Sequence, residues 1–527
     1  MGELAFPRTR LWAGRGEEYT ARGLWSGSRL LDRYDAITLR GPDDLAVVDT
    51  RGAALTHKTL RAAAEGFAAE LLSAGLRRRD VVVLALPNVA EWQVALVACL
   101  RADLVPATVP VTTDPGNLAY LLELIKPGVV VCSADPRDAS VGENVLASAA
   151  SVAGTGVVRV RNDSVEWRSR PGSRQRVVPD ECDQLMFTSS TTGRPKAVMH
   201  SAATLGSVNA AFAERFALSV NDPIFMPSPL GHSVGAWHGA RLALWTGAPL
   251  VLQDRWDPEA AGRLLREHRC SFTAAATPFL TDLVETGAVV DDLRTFLCGG
   301  APVPPSLVDR SAAVFPRALV SVLWGMTEGG VTTCERASPA DKRRATAGLP
   351  LPGLELRVLG DDGPDGAGEL VMRGPGVCLG YAGQPELFEQ QLTDDAFLRT
   401  GDLAVLEPDG YLRVTGRLKD LVIRGGVNIS PIPIEDALAA HPRIRAVAVI
   451  GVPDPRMGER IGAVVSVDGA EPLELDELCQ WLDARGLPRR QWPERLFLVA
   501  EMPRTPAGKI RKNVLRKTVA AEAEVTA

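Results

Sequence analysis

The chain has 527 residues, 46% of them apolar and 23% charged, with a formal net charge of −6. This length calls for two or more hydrophobic cores, the composition is that of a globular protein, and the slightly acidic balance argues against nucleic acid, which would call for a basic surface. Eight scattered cysteines without a C-x-x-C pair or zinc spacing point to a reduced, cytoplasmic chain, and the sequence holds neither a signal-peptide core nor a run of the roughly 20 apolar residues that crosses a membrane.

Residues 60–74 (LRAAAEGFAAELLSA) repeat apolar side chains at helical spacing and meet a stop at Gly75. Residues 81–86 (VVVLAL) form a β-branched run ended by Pro87 and Asn88, the pattern of a strand buried on both faces. Helices at 91–101 and 118–125 and strands at 105–109 and 129–132 repeat the order. Such alternation predicts mostly parallel sheets covered by helices. A short apolar run at 185–187 then breaks into Thr188, Ser189, Ser190, Thr191 and Thr192, followed by Gly193, the turn dipeptide Arg194-Pro195 and Lys196. Hydroxyls and free backbone N–H groups suit polyphosphate oxygens, and Lys196 adds a point charge. The spacing is not that of a Walker loop, and alone the stretch reads equally as a polar surface loop.

The alternation resumes with helices at 202–216, 234–246 and 258–268 and extended segments at 222–226, 250–252 and 272–276. Short strands at 296–298 and 320–323 run into Gly299-Gly300-Ala301 and Gly325-Met326-Thr327-Glu328. Ligands of open α/β sheets lie at such carboxyl ends. After about residue 350 the patterns at 354–359, 369–373 and 411–415 resemble antiparallel strands. A final unit has a strand-turn-strand at 420–429, helices at 433–440 and 473–484 and a strand at 447–452; the tail after Lys517 is expected to fray. The fold class is therefore α/β. A large N-terminal domain (1–417) carries two helix-covered, mostly parallel sheets and a small barrel-like β subdomain, and a small α+β domain (418–527) follows.

Four further stretches make the hydroxyl loop legible: WGMTE at 324–328, TGD at 400–402, GRLKD at 416–420 and PAGKI at 506–510. Together with TSSTTGRPK they resemble the signature set of the adenylate-forming superfamily, to which acyl-CoA synthetases and aryl-acid ligases belong, over about residues 55–517. The resemblance implies that a carboxylate attacks the α-phosphorus of ATP, releasing pyrophosphate, and that the acyl-adenylate then passes to a thiol. It implies that Thr188, Ser189, Ser190, Thr191, Thr192 and Lys196 hold the β- and γ-phosphates, which need donors and cations. Glu328 ligates Mg²⁺ and Thr327 bonds the α-phosphate. Asp402 accepts the ribose hydroxyls beside Arg417. Gly299, Gly300 and Ala301, with Gly325 and Met326, admit the adenine, and Trp324 stacks on it. Lys509, on a mobile C-terminal domain, bridges carboxylate and α-phosphate. That domain swings about Lys419, bringing Gly425 and Gly426 to a thiol channel. Each motif also has a plain reading: an Asp after Thr-Gly suits a turn, a Glu after Thr a helix cap, and a Gly-Lys an exposed loop.

This chain departs from the family at Ser190 and Ala197, where the loop usually carries glycine, and at Trp324, usually tyrosine. Ser190 keeps open a non-catalytic nucleotide-binding regulator as an alternative. His232 matches the residue between acyl pocket and thiol channel, whereas His200 reads as structural. By motif position the pocket is lined by His232, Ser233, Val234, Gly235, Trp237, Thr277 and Pro278, with Ala301 and Gly325. These offer no positive charge for a second carboxylate and suit a compact ring or short chain. The stretch SPLGHSVGAWHG is similar to that of cyclohexanecarboxylate and aryl-acid CoA ligases. The expected partners are a small carboxylic acid and CoA. Alternatively a carrier-protein pantetheine, an amine or another small nucleophile accepts the acyl group, with no carrier domain expected in the chain itself. The resemblance also makes a homodimer a common assembly.

Overall fold

The computed structural model describes residues 9–525 except 13, 163, 174, 189–193, 301–302, 361–365, 468–472 and 506–507, and of 520–525 the backbone alone. Helix His57–Ser73 illustrates how local sequence sets an element. The Thr56 hydroxyl accepts from the Thr59 N–H, and the Thr59 hydroxyl accepts from that of Thr56. Such a cap contributes about 1 kcal/mol. Leu60, Ala64, Phe67 and Leu71 form its buried stripe, and Gly75, at φ +97°, turns the chain out where a side chain would be strained.

The β-branched run forms strand Val81–Ala85, buried at every position. It sits in a sheet ordered Gly380–Tyr381, Ala197–His200, Gln184–Phe187, Val105–Thr108, Val81–Ala85, Val129–Ser133, Gly156–Arg161, Ser164–Ser169. Pairing is parallel from Gln184–Phe187 to Gly156–Arg161 and antiparallel at both edges. A second sheet runs Leu349–Pro350, Gly329–Thr333, Leu319–Met326, Thr295–Gly299, Phe272–Ala276, Ile224–Met226, Leu250–Leu252, Leu45–Asp49, Ala54–Thr56, again parallel except at its edges. Both sheets feed one core: Val82, Leu84 and Met186 share it with Val47, Met226 and Leu250 and with Trp92, Phe212 and Trp237 of the helical segments. A small antiparallel sheet, Glu355–Leu359, Gly368–Arg373, Leu398–Leu406 and Leu412–Arg417, follows. A separate sheet from Val422–Arg424 onward has its own core around Val422, Ile434, Val449 and Leu478.

Two elements differ from their expected form. Residues 234–246 are not one α-helix: a turn at Ser233–Gly235 passes into a π turn, Ala236–Arg241, and then into Leu242–Thr246. Within this segment Gly239 backs onto Met226, which a Cβ would approach to 2.7 Å, and the fully buried Arg241 pairs with Asp183 at 2.9 Å and Gln184 at 3.0 Å. The tail does not fray after Lys517 but continues the helix Lys512–Val525. Leu515 and Val519 are buried against Ile450, Val464 and Met502, which anchors it, and Lys512 pairs with buried Glu435 at 2.7 Å.

Candidate active site

The motifs gather where the parallel strands end. Thr188 and Lys196 face each other across the hairpin formed by Gln184–Phe187 and Ala197–His200, with two hydrogen bonds: Thr188 N–H to the Lys196 carbonyl (3.2 Å) and Lys196 N–H to the Thr188 hydroxyl (3.1 Å). Ser189, Ser190, Thr191, Thr192 and, elsewhere, Ala301 lie outside the described residues. The departure at Ala197 carries no backbone strain: it is a buried strand residue and not among the positive-φ positions. Gly299 closes its strand against the Leu323 carbonyl, which a Cβ would approach to 2.3 Å, and Gly300 follows at φ +84°. No side chain fits at the first, and few at the second.

Strand Leu319–Met326 carries the next motif. Trp324 is 7% exposed and its indole N–H donates to Asp402 at 2.8 Å. Arg417 holds the other carboxylate oxygen of Asp402, also at 2.8 Å. The acidic and the basic motif, expected side by side, stand opposite each other in the antiparallel pair Asp402↔Arg417. Gly325 is exposed and Met326 half-buried. Thr327 and Glu328 form the turn to Gly329–Thr333. His200 supports this turn: its Nε2–H donates to the Thr327 carbonyl at 2.8 Å and Nδ1 faces the Thr204 hydroxyl at 3.2 Å. Burial pushes the ring's pKa down to about 4, so it stays neutral.

Glu328 is 4% exposed, and its carboxylate accepts the Tyr381 hydroxyl at 2.8 Å. Lys196 Nζ donates to the same hydroxyl at 3.3 Å and lies 4.6 Å from the centre of the ring. Sequence reasoning missed Tyr381, because a Gly-Tyr pair in a two-residue edge strand carries no pattern of its own. Burial, then the Glu328 charge, raise its phenol pKa, so it remains a donor. Among the described residues no group of three or more His, Cys, Asp or Glu converges. One buried carboxylate fits Mg²⁺, which binds through one or two carboxylates and otherwise keeps waters and phosphates. It does not fit an all-protein cage.

The tail unit brings Lys509 into this arrangement. A tight loop presents it: Thr505 N–H donates to the Lys509 carbonyl (2.7 Å), Gly508 N–H to the Thr505 carbonyl (2.8 Å), and Lys509 N–H to the Thr505 hydroxyl (3.1 Å). Gly508, at φ +82°, packs so closely on the N-terminal domain that a Cβ there would stand 3.0 Å from Pro278. The Lys509 chain then runs past Gly300, its Cε 3.2 Å from where a Cβ would be. Its pKa falls to about 8, first through burial and then through Arg417, opposed by Asp402 and Glu328. Lys509 therefore passes beside Gly300 and feels the charges of Glu328, Asp402 and Arg417, four residues singled out with it in the sequence.

His232 ends its own strand connection, half-buried at the head of Ser233–Gly235, and its Nε2 is a buried nitrogen without a hydrogen-bond partner among the described residues. Burial and the Lys509 charge bring its pKa down to about 4. Ser233 and Val234 are half-buried; Gly235 abuts the Pro229 carbonyl. Thr277 and Pro278 open helix Thr277–Thr286. Trp237 is 1% exposed; its indole donates to the Leu205 carbonyl at 3.1 Å and its ring packs on His200 and His238. Lys419 is exposed in the turn Leu418–Asp420 between the third and fourth sheets. Gly425 and Gly426, at φ +58° and +81°, make the turn between Val422–Arg424 and Val427–Ile429. This turn is exposed with Ile423 and Val427, and Arg424 ties it to Glu494 of the same unit at 2.7 Å.

The chain as a whole is similar to known proteins. The family described as AMP-binding enzyme covers residues 35–382, and its C-terminal domain covers 433–509. The medium-chain fatty-acid–CoA ligase of Escherichia coli is 31% identical over 96% of this chain and 93% of its own. A feruloyl-CoA synthase of an Amycolatopsis species is 33% identical over 88% and 94%. Among solved structures, ATP-bound MatB from Rhodopseudomonas palustris superposes with a TM-score of 0.81 at 26% identity, covering 94% of this chain and 99% of that one. Its apo form gives 0.70 at the same identity, covering 93% and 99%.

Proposed function

The chain belongs to the AMP-binding enzyme family, and from that premise we propose that it joins a small carboxylic acid to CoA in two half-reactions driven by ATP. In the first, a carboxylate oxygen attacks the α-phosphorus, the bond to the β-phosphate oxygen breaks and pyrophosphate leaves. In the second, the CoA thiol loses its proton, its sulfur attacks the carbonyl carbon, and AMP leaves.

The observation that carries this reading is the approach of Lys509 to Gly300 within the field of Asp402, Arg417 and Glu328. An ammonium there would offset the charge of a carboxylate and an α-phosphate, both anionic, as they meet. Thr188 and Lys196 flank the phosphate loop. Glu328 holds Mg²⁺, which when bound neutralises phosphate charge, and Thr327 hydrogen-bonds the α-phosphate from the same turn. Asp402, oriented by Trp324 and Arg417, takes the ribose hydroxyls with lone pairs those partners leave over. Gly299, Gly300, Gly325 and Met326 give the adenine room, beside the Trp324 ring. His232, Ser233, Val234, Gly235, Thr277 and Pro278 face the acid, with Trp237 as the buried wall behind them. The greater likeness to the ATP-bound than to the apo MatB structure supports assigning this domain orientation to the first half-reaction. The second then requires a swing about Lys419 that withdraws Lys509 and carries Gly425 and Gly426, now exposed, to the thiol.

The test is acid-dependent exchange of labelled pyrophosphate into ATP over a panel of aromatic, alicyclic and short-chain acids, followed by mass analysis of the product with CoA. Exchange with at least one acid and a mass equal to its CoA thioester are expected. No exchange with any acid, despite ATP binding, would leave a nucleotide-binding protein without this chemistry.

A further inference from the structure

Tyr381 lies between two groups to which the proposed function gives different ligands. It is 2% exposed and belongs to the edge strand Gly380–Tyr381, paired with Ala197–His200 in the register Tyr381↔Val198. That pairing fixes it beside the strand that leaves the phosphate loop. A second link runs to the metal turn, because Cys378 N–H donates to the Glu328 carbonyl at 2.7 Å. Phe388 packs edge-on against the ring, 5.1 Å between centres. The ring is therefore held from three sides, and its hydroxyl has a fixed place.

That hydroxyl gives its proton to Glu328 Oε1 (2.8 Å) and accepts one from Lys196 Nζ (3.3 Å). A phenol can donate once and accept besides, so one oxygen satisfies an anion and a cation together. Hydrogen bonds to charged groups are the stronger kind, and a buried carboxylate fixed at one oxygen has lost its torsional freedom before an ion arrives.

We infer that Tyr381 is a positioning residue for Mg·ATP. Its hydroxyl fixes Oε1 of Glu328, so that among the described residues Oε2 would be the oxygen to hold the ion, and it steadies Lys196, whose remaining protons would serve the β- and γ-phosphates. The inference rests on the reading of Glu328 and Lys196 given above.

Tyr381→Phe keeps the ring, its packing on Phe388 and its face towards Lys196, and removes only the hydroxyl. ATP is titrated into the full chain by calorimetry over a series of MgCl₂ concentrations. The variant is expected to need about tenfold more Mg²⁺ for half-maximal ATP binding, the loss of one charged hydrogen bond, while the KM for the acid stays unchanged. An unaltered Mg²⁺ requirement in a variant with the parent's thermal melt overturns the inference. Glu328→Gln, which keeps an acceptor for the phenol but loses the charge, separates the two levels. If it leaves the Mg²⁺ requirement unchanged, the placement of the ion at Glu328 fails; if it raises the requirement and Tyr381→Phe does not, only the role of Tyr381 fails.

Discussion

The Lys509 side chain passes so close to Gly300 that a methyl group on the glycine would stand 3.2 Å from the lysine's Cε. Gly300 is also at φ +84°, where an L side chain costs roughly 1–2 kcal/mol. Gly300→Ala should therefore act twice, straining its own loop and pushing the lysine aside. Pyrophosphate exchange is expected to fall about tenfold or more, while transfer of the acyl group from a synthetic acyl-adenylate to CoA falls less, because that step proceeds with Lys509 withdrawn. Equal losses in the two assays would mean that the contact does not serve the first step alone.

Lys509 should titrate near pH 8 in the nucleotide-free enzyme, well below the usual lysine value. Below that pH it is an ammonium, above it an amine, so a first half-reaction that needs the cation declines as pH rises through about 8. Bound phosphates oppose this by favouring the charged form. Labelling with an amine reagent, followed by mass spectrometry of the peptide holding Lys509, should give a midpoint near 8 that rises when ATP is present. A midpoint at the ordinary value of 10.5 would contradict the burial on which the shift depends.

The Trp324 indole N–H and the Arg417 guanidinium both hold Asp402. Trp324→Phe removes that donor from a buried carboxylate, a loss of about 1–3 kcal/mol. Urea unfolding should register it, and the KM for ATP should rise several-fold with the KM for the acid unaffected. A KM for ATP equal to the parent's would detach Asp402 from the ribose.

The sequence marks out motif residues more readily than their surroundings. The motif residues Lys196, Gly300, Glu328, Asp402, Arg417 and Lys509 were legible because polyphosphate and carboxylate chemistry restricts which side chains can serve, and the parallel strands because β-branched runs such as 81–86 leave little choice. Three things were not legible. The π turn at Ala236–Arg241 depends on a buried pairing with Asp183 and Gln184, distant in sequence. The helix Lys512–Val525 is ordered by burial of Leu515 and Val519, which a local reading of an Ala/Glu-rich tail does not reveal. Tyr381 draws its meaning entirely from Lys196 and Glu328, each more than fifty residues away.

Trp237 changes what its truncation can report. With 1% exposure and a hydrogen bond to the Leu205 carbonyl, Trp237→Ala should cost about 3–5 kcal/mol of stability, visible as an early urea midpoint whatever happens to specificity. Trp237→Phe keeps most of the volume and is the cleaner probe: the order of preferred acids should change while the KM for ATP does not. An identical acid profile would move the pocket away from this wall.

The most direct measurement concerns Lys509 itself. Lys509→Ala should abolish acid-dependent pyrophosphate exchange, by at least about a thousandfold, while calorimetry still detects ATP binding and a supplied acyl-adenylate is still converted to the CoA thioester. Exchange at the parent rate would contradict the assignment of the first half-reaction to a lysine delivered by the C-terminal unit.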